Sequence, residues 1–232
     1  MRMRFAAGLL LCGVLSFQRG GAQSADPNLM REAAAVRAEV ARSRDALRDY
    51  TWTEHTEVSV KGEVKSSTAA TCHYKSNGDL VKTPLGAAEE QKKANATAKR
   101  VVTRKKADMQ DYIERAVSTI QDYVPPKPEQ IDHLLRTGSA ALGHSADGKS
   151  EVRMTNYYQE GDSLVITYDS ASKVILRAHI ASTLGSPKDP VTLDAIFEKL
   201  PDGVNHLSST TLNAPSKKIQ VKTRNVMYQK AK

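Results

Sequence analysis

Cysteine and aromatic side chains are scarce in this chain, which has 2 cysteines, 1 tryptophan and only 5% aromatic residues among its 232. Cys12 lies in a segment that we expect to be cleaved, so an intramolecular disulfide is excluded in the mature protein. Cys72 falls in an alternating stretch, where we expect a buried small apolar residue; a reactive thiol is the less favoured alternative.

Apolar runs long enough to cross a membrane are also missing. The longest, Phe5–Phe17, has about a dozen residues, short of the roughly 20 that a spanning helix needs. It follows two arginines and precedes the small residues Gly20-Gly21-Ala22, a pattern typical of a cleavable signal peptide. We therefore expect a signal peptide over residues 1–22, a single soluble domain over 23–232, and a periplasmic location, with secretion as the alternative.

Recognisable catalytic and metal-binding motifs are absent from the sequence. The 6 histidines are scattered singly, and none stands with Cys, Asp or Glu at the spacing of a zinc site. There is no Gly-x-Ser-x-Gly elbow, phosphate-binding loop or dinucleotide fingerprint. We expect no metal, no cofactor and no catalytic residue, although a hydrolase assembled from distant residues stays open as a third possibility.

The formal net charge of +8 is modest for an exported chain, so nucleic acid is not an expected partner. Basic residues concentrate between residues 89 and 106. This stretch is either a solvated helix face or a contact for lipid head groups or an acidic partner. The candidate contacts in it are Lys92, Lys93, Lys105 and Lys106.

Three segments have helical periodicity. Asp26-Pro27 is an N-cap followed by proline at the first helical position, and the helix is expected to run to about Arg48 with a charged face, including Glu32 and Glu39, toward water. A second amphipathic helix, Met109–Val124, is ended by two prolines, and Pro128 begins a short third one.

Apolar and polar residues alternate with period two from Tyr50, which predicts a β-strand. Lys61-Gly62 is a hairpin turn, and Glu63–Tyr74 is the predicted return strand. From Glu151 onward, short turns separate alternating segments, which predict six further antiparallel strands. The expected fold is therefore α+β: a curved antiparallel sheet of about eight strands, an unclosed half-barrel, covered on one face by about three helices.

This order of elements resembles that of the exported LolA-like superfamily. The resemblance is carried by Leu47–Glu54, which leads from a helix into the Lys61-Gly62-Glu63 hairpin, and by the later helices and strand meander. The late segments Leu200–Gly203, Ser208–Thr211 and Ile219–Lys222 are similar to the end of the sheet in secreted relatives of that group. The family includes periplasmic lipoprotein carriers and sensor domains of envelope-stress regulators.

Membership would imply a hydrophobic cavity for lipid or lipoprotein acyl groups and no catalysis. We accordingly predict a non-enzymatic periplasmic protein that binds lipid, a lipidated protein or another apolar ligand. The alternative is an interaction or stress-sensor module that binds another envelope protein. The candidate cavity-lining residues are Trp52, Val58, Val60, Met109, Ile113, Ile120, Leu134, Leu176 and Phe197.

Overall fold

The computed structural model describes residues 26–86, 108–119, 123 and 128–230. Over these ranges the protein contains three helices and ten strands. The helices are α1 (Pro27–Ala46), α2 (residues 108–119) and α3 (Pro128–Thr137). The strands are β1 (Tyr50–Val60), β2 (Glu63–Tyr74), β3 (Leu80–Leu85), β4 (Ala140–His144), β5 (Ser150–Thr155), β6 (Ser163–Asp169), β7 (Val174–Thr183), β8 (Pro190–Lys199), β9 (Asn205–Ala214) and β10 (Ile219–Lys230).

Helix α1 begins as its sequence predicts. The Asp26 carboxylate accepts a hydrogen bond from the Asn28 backbone N–H at 2.8 Å, and Pro27 occupies the first turn. The α-helix ends at Ala46, and the 3-10 turn Leu47–Asp49 carries the chain into β1.

The expectation that Glu32 and Glu39 face water was wrong. They are only 7% and 4% exposed. Glu39 accepts hydrogen bonds from Arg42 and from the Ser43 hydroxyl, and Glu32 accepts one from the Ser170 hydroxyl at 2.9 Å. Because both carboxylates have partners, the helix can bury a stripe wider than its apolar residues alone would define.

All ten strands form one antiparallel sheet in the order β3-β2-β1-β10-β9-β8-β7-β6-β5-β4. The α+β class and the unclosed antiparallel sheet are confirmed, whereas the predicted number of about eight strands was too small. The two unpredicted strands, β3 and β4, are the two edges of the sheet. They have only 6 and 5 residues, and Pro84 and Gly143 interrupt their patterns, as is common at sheet edges.

The core lies between the helices and one face of the sheet. Helix α1 packs against β4, β5, β7 and α3. Directly paired residues of antiparallel strands point to the same face, and the paired residues Leu193, Ile180 and Leu164 are 6%, 0% and 0% exposed. Among the described residues, no helix is long and apolar enough to cross a membrane.

A buried polar cluster holds the Tyr123 side chain against the sheet. Asp162 is 3% exposed and accepts hydrogen bonds from the backbone N–H groups of Tyr158 and Gln159, both at 2.9 Å. Tyr123 donates its hydroxyl to the same carboxylate and lies 2.9 Å from the Ser182 hydroxyl. The predicted signal peptide, its boundary at residue 22 and the Pro125-Pro126 helix stop lie outside the described residues.

Candidate ligand cavity

A cavity of about 850 Å³ lies between the C-terminal half of α1 and the sheet. Its volume is within the range of roughly 300–1,000 Å³ that is usual for small-molecule sites. Its roof is formed by Val40 of α1, Leu47 of the following 3-10 turn and Val117 of α2. Its floor is apolar and comes from five strands; the residues are Ile166, Ile175, Ala178, Leu193, Leu212 and Val221.

The apolar floor follows from the register of the strands. Ile166 pairs with Ala178, and Leu193 pairs with Leu212, which in turn pairs with Val221. Each pair faces the same side of the sheet, so alternation along single strands becomes a continuous apolar band across several of them. The small side chain of Ala178 leaves space above the middle of this band.

One end of the cavity is polar and charged. Lys82 of β3 donates to both carboxylate oxygens of Glu54 of β1, at 2.6 and 2.8 Å. Exposed Arg44, from the last turn of α1, lies nearby with its guanidinium 3.5 Å from the Gly78 carbonyl oxygen. Because Arg44 and Lys82 are both substantially exposed, this end is the mouth of the cavity.

The Arg44 guanidinium can approach the β2–β3 turn because residue 78 is glycine. A Cβ atom at this position would lie 2.6 Å from Arg44 Nη2. Gly78 also has a φ of +87°, a left-handed backbone conformation that disfavours other residues. The turn therefore needs glycine for its backbone and provides space for the arginine.

A second polar group borders the cavity from β9. The Asn205 side-chain amide donates to the Ile175 carbonyl at 3.0 Å, which anchors the start of β9. His206 is 7% exposed, and its ring meets the Tyr228 ring edge-to-face at 4.4 Å. Burial lowers the pKa of His206, so its neutral form is favoured beside the cavity.

The predicted lining residues occupy different environments. Phe197 lines the cavity. Leu134, on the buried face of α3, is 2% exposed and belongs to the core cluster. Four others are partly buried and pack against the core cluster: Val58, Val60, Met109 and Ile113.

Trp52 and Leu176 lie in places that simple alternation does not anticipate. Trp52 is buried in an aromatic cluster, stacked on Tyr228 with ring centroids 5.4 Å apart and 5.5 Å from the Tyr74 ring. Leu176 is the extra residue of a β-bulge, because Arg177 pairs with Thr167 and Ile175 with Tyr168. The bulge moves Leu176 out of phase with the core-facing residues of β7. Five of the predicted site residues lie outside the described residues: Ile120, Lys92, Lys93, Lys105 and Lys106.

Sequence reasoning missed the polar mouth, although two signals point to it. Glu54 is separated from Trp52 and Val58 by an even number of positions along β1. Its carboxylate is therefore on the same, inward face of the strand. Arg44 follows Val40 by four residues, so it lies on the face of α1 that borders the cavity. A charged residue at an inward-facing position is thus the sequence signal for such a mouth. The position of Lys82 could not be predicted, because it lies on β3, a strand that the sequence analysis did not predict.

Other titratable groups do not converge on this cavity. On the opposite face of the sheet, Asp194 accepts hydrogen bonds from Arg177 and His179, each with a contact at 3.0 Å. Burial opposes ionisation of Asp194, but these two bonds prevail and hold its pKa below the usual value. Cys72 is 0% exposed, and burial raises the pKa of its thiol. The described residues contain no cluster of His, Cys, Asp or Glu that could hold a metal ion.

Fold and cavity together define an α+β protein in which an unclosed antiparallel sheet and its covering helices enclose an apolar cavity. No protein-family model matches the chain, and no curated protein matches it by sequence. The solved structures that are similar to it at low identity include the following three. A DUF1329 family protein from Desulfovibrio piger has 11% identity and a TM-score of 0.43, covering 87% of this chain and 92% of its own.

The second is a LolA superfamily protein from Nitrosomonas europaea, with 7% identity, a TM-score of 0.42, and coverage of 86% of this chain and 93% of its own. The third is a putative outer membrane lipoprotein-sorting protein domain from Vibrio parahaemolyticus, with 10% identity and a TM-score of 0.38. It covers 83% of this chain and 91% of its own.

Proposed function

We propose that the protein is a non-enzymatic binder of lipid, a lipidated protein or another apolar ligand. The observation that supports this function is the cavity of about 850 Å³ with a floor of aliphatic side chains. Protein interiors are close-packed, and voids much larger than a water molecule are few. A space of this size, bordered by α1 and eight strands, is therefore better explained as a ligand site than as a packing defect.

The mouth and the floor suit a ligand with one polar end. An apolar chain lying on Ala178 and Leu193 would remove aliphatic surface from water, a gain of roughly 25 cal/mol per Å² of apolar area buried. Polar atoms at the other end of the ligand would remain near exposed Arg44 and Lys82. The signal-peptide pattern of residues 1–22 supports a place for this activity in the periplasm, with secretion as the alternative.

The first test is native mass spectrometry of the mature protein purified from membrane-containing cells, followed by organic extraction of any bound molecule. We expect a population heavier than the bare polypeptide and an extractable acyl species. A protein that is empty on purification, and that gains no mass when offered lipid or a lipidated peptide, would overturn the proposal.

A matched pair of variants ties binding to this cavity. Thr210 lines it, whereas the adjacent Thr211 points to the opposite face of β9. Filling the cavity with Thr210→Phe is expected to reduce uptake of an apolar probe at least about tenfold, which corresponds to roughly 1.4 kcal/mol. Thr211→Phe adds the same side chain outside the cavity and should leave uptake unchanged; equal effects of the two variants would place the binding elsewhere.

A protein-interaction module is the second candidate, and the open edge of the sheet favours it. Leu80 and Leu85 on β3 are 43% and 49% exposed, and Val64 on β2 is 56% exposed. An edge strand with exposed apolar residues can pair with an added strand, although Pro84 removes one backbone donor from β3. A ligand-free protein in the mass measurement would favour this function over the first.

A further inference from the structure

The charged side chains that border the cavity differ in how they are paired. Two carboxylates border it, and each has a cation as its partner: Glu39 is paired with Arg42, and Glu54 with Lys82. Arg44 also borders the cavity, but no carboxylate of the described residues lies within 4.0 Å of its guanidinium. Over the part of the chain that the structure describes, Arg44 is therefore a positive charge at the mouth without a carboxylate partner.

The cavity is also bordered by a hydroxyl donor. Tyr74 borders the cavity on β2, and its hydroxyl has no hydrogen-bond partner among the described residues. Arg44 and Tyr74 border the same cavity. Burial raises the pKa of Tyr74, while the positive charge of Arg44 acts on it in the opposite sense. A neutral phenol and a guanidinium are both donors, and together they can serve the two oxygens of one carboxylate.

We infer that the ligand of this cavity is a single-chain amphiphile with a carboxylate head, which binds Arg44 and Tyr74 at the mouth while its chain lies on the apolar floor. This inference rests on the proposed function and specifies its ligand class. One unpaired positive charge matches a monoanionic carboxylate better than a dianionic phosphate, which would leave a charge uncompensated. The planar guanidinium also fits the carboxylate geometry in a bidentate manner.

The position of Arg44 in α1 has a competing structural explanation. A cation in the last turn of a helix is favourable because the helix dipole leaves partial negative charge there. That explanation predicts an effect of Arg44 on stability and none on the choice between ligands. Ligand selectivity is therefore the measurement that separates the two roles.

The test compares dodecanoate, dodecanol, dodecylamine and dodecyl phosphate, which share one chain and differ in head group. Affinities for the delipidated mature protein would be measured by calorimetry at neutral pH. We expect dodecanoate to bind roughly ten- to a hundredfold more tightly than dodecanol, the range expected for hydrogen bonds to a charged group. Arg44→Gln should abolish most of this preference, Arg44→Lys should keep part of it, and Tyr74→Phe should reduce it several-fold.

Arg48→Gln is the matched control, because Arg48 lies four residues further along, pairs with Asp45 at 3.4 Å and does not border the cavity. Its selectivity should equal that of the unmodified protein. Dodecanol binding by each variant reports that the cavity is still folded. Equal affinities for dodecanoate and dodecanol, tighter binding of the phosphate or the amine, or an unchanged preference in Arg44→Gln would each overturn the inference while leaving apolar-ligand binding in place. If none of the four probes binds, both the inferred ligand class and the proposed function fail.

Discussion

Gly78 links the conformation of a turn to the charge at the cavity mouth. Its φ of +87° is reached by glycine without the penalty of roughly 1–2 kcal/mol that another residue incurs. Its missing side chain also leaves space for Arg44 Nη2, which would otherwise lie 2.6 Å from a Cβ atom. The guanidinium is the end of a flexible side chain, so it can swing away from a larger residue. The turn thus controls where the positive charge lies.

Gly78→Ala is expected to lower the free energy of unfolding by about 1–2 kcal/mol and to displace Arg44. Gly62→Ala is the matched control, since Gly62 has a φ of +83° and a Cβ atom added there would have no neighbouring atom within 4 Å. Both variants should lose similar stability in denaturant titrations, because their backbone penalties are alike. Only Gly78→Ala should weaken dodecanoate relative to dodecanol; the same selectivity in both variants would show that the turn does not position Arg44.

At the scale of single elements, sequence patterns identified strands that have one buried and one solvent-facing side. Every second residue of β8 faces the core or the cavity, namely Val191, Leu193, Ala195 and Phe197. The pattern failed where the backbone departs from regular pairing. A bulge displaces Leu176, and the edge strands β3 and β4 bury too little apolar surface to show strong alternation.

Helices α1 and α3 are connected by an ion pair whose strength can be measured. Arg37 Nη1 lies 2.5 Å from Asp132 Oδ1, with side chains that are 32% and 43% exposed. Because solvent screens pairs of this exposure, we expect a coupling free energy below about 1 kcal/mol in a cycle of Arg37→Gln, Asp132→Asn and the double variant. Stability would be measured by denaturant unfolding.

The control for this pair lies within α1 and the turn that follows it. Arg48 and Asp45 are 3.4 Å apart with side chains 42% and 69% exposed, so their coupling should be smaller than that of Arg37 and Asp132. A coupling for Arg37 and Asp132 that is no larger than for the local pair would mean that the contact between the helices depends on apolar packing alone.

At the scale of the whole molecule, the cavity joins parts of the chain that are far apart in sequence. Glu54 on β1, Ile166 on β6 and Val221 on β10 all border it, and β1 reaches the other two because it pairs with β10. Local periodicity can show which residues face inward, but it cannot show which inward residues border empty space. Among the predicted inward residues, Phe197 borders this cavity, whereas Val58 packs against the core and Leu134 lies within it.

Ligand binding should stabilise the fold as a unit, because the cavity borders eight neighbouring strands of the sheet, from β3 at one edge to β6. A ligand that binds only the folded state adds about 2.7 kcal/mol when its concentration is 100 times its Kd. For a domain of this size, each kcal/mol raises the melting temperature by about 2–4 °C, so dodecanoate is expected to raise Tm by roughly 5–10 °C. Scanning calorimetry of the delipidated mature protein would measure the shift. Thr210→Phe should lose it and Thr211→Phe should retain it, whereas an equal shift in both variants would mean that the ligand stabilises the protein from a site outside this cavity.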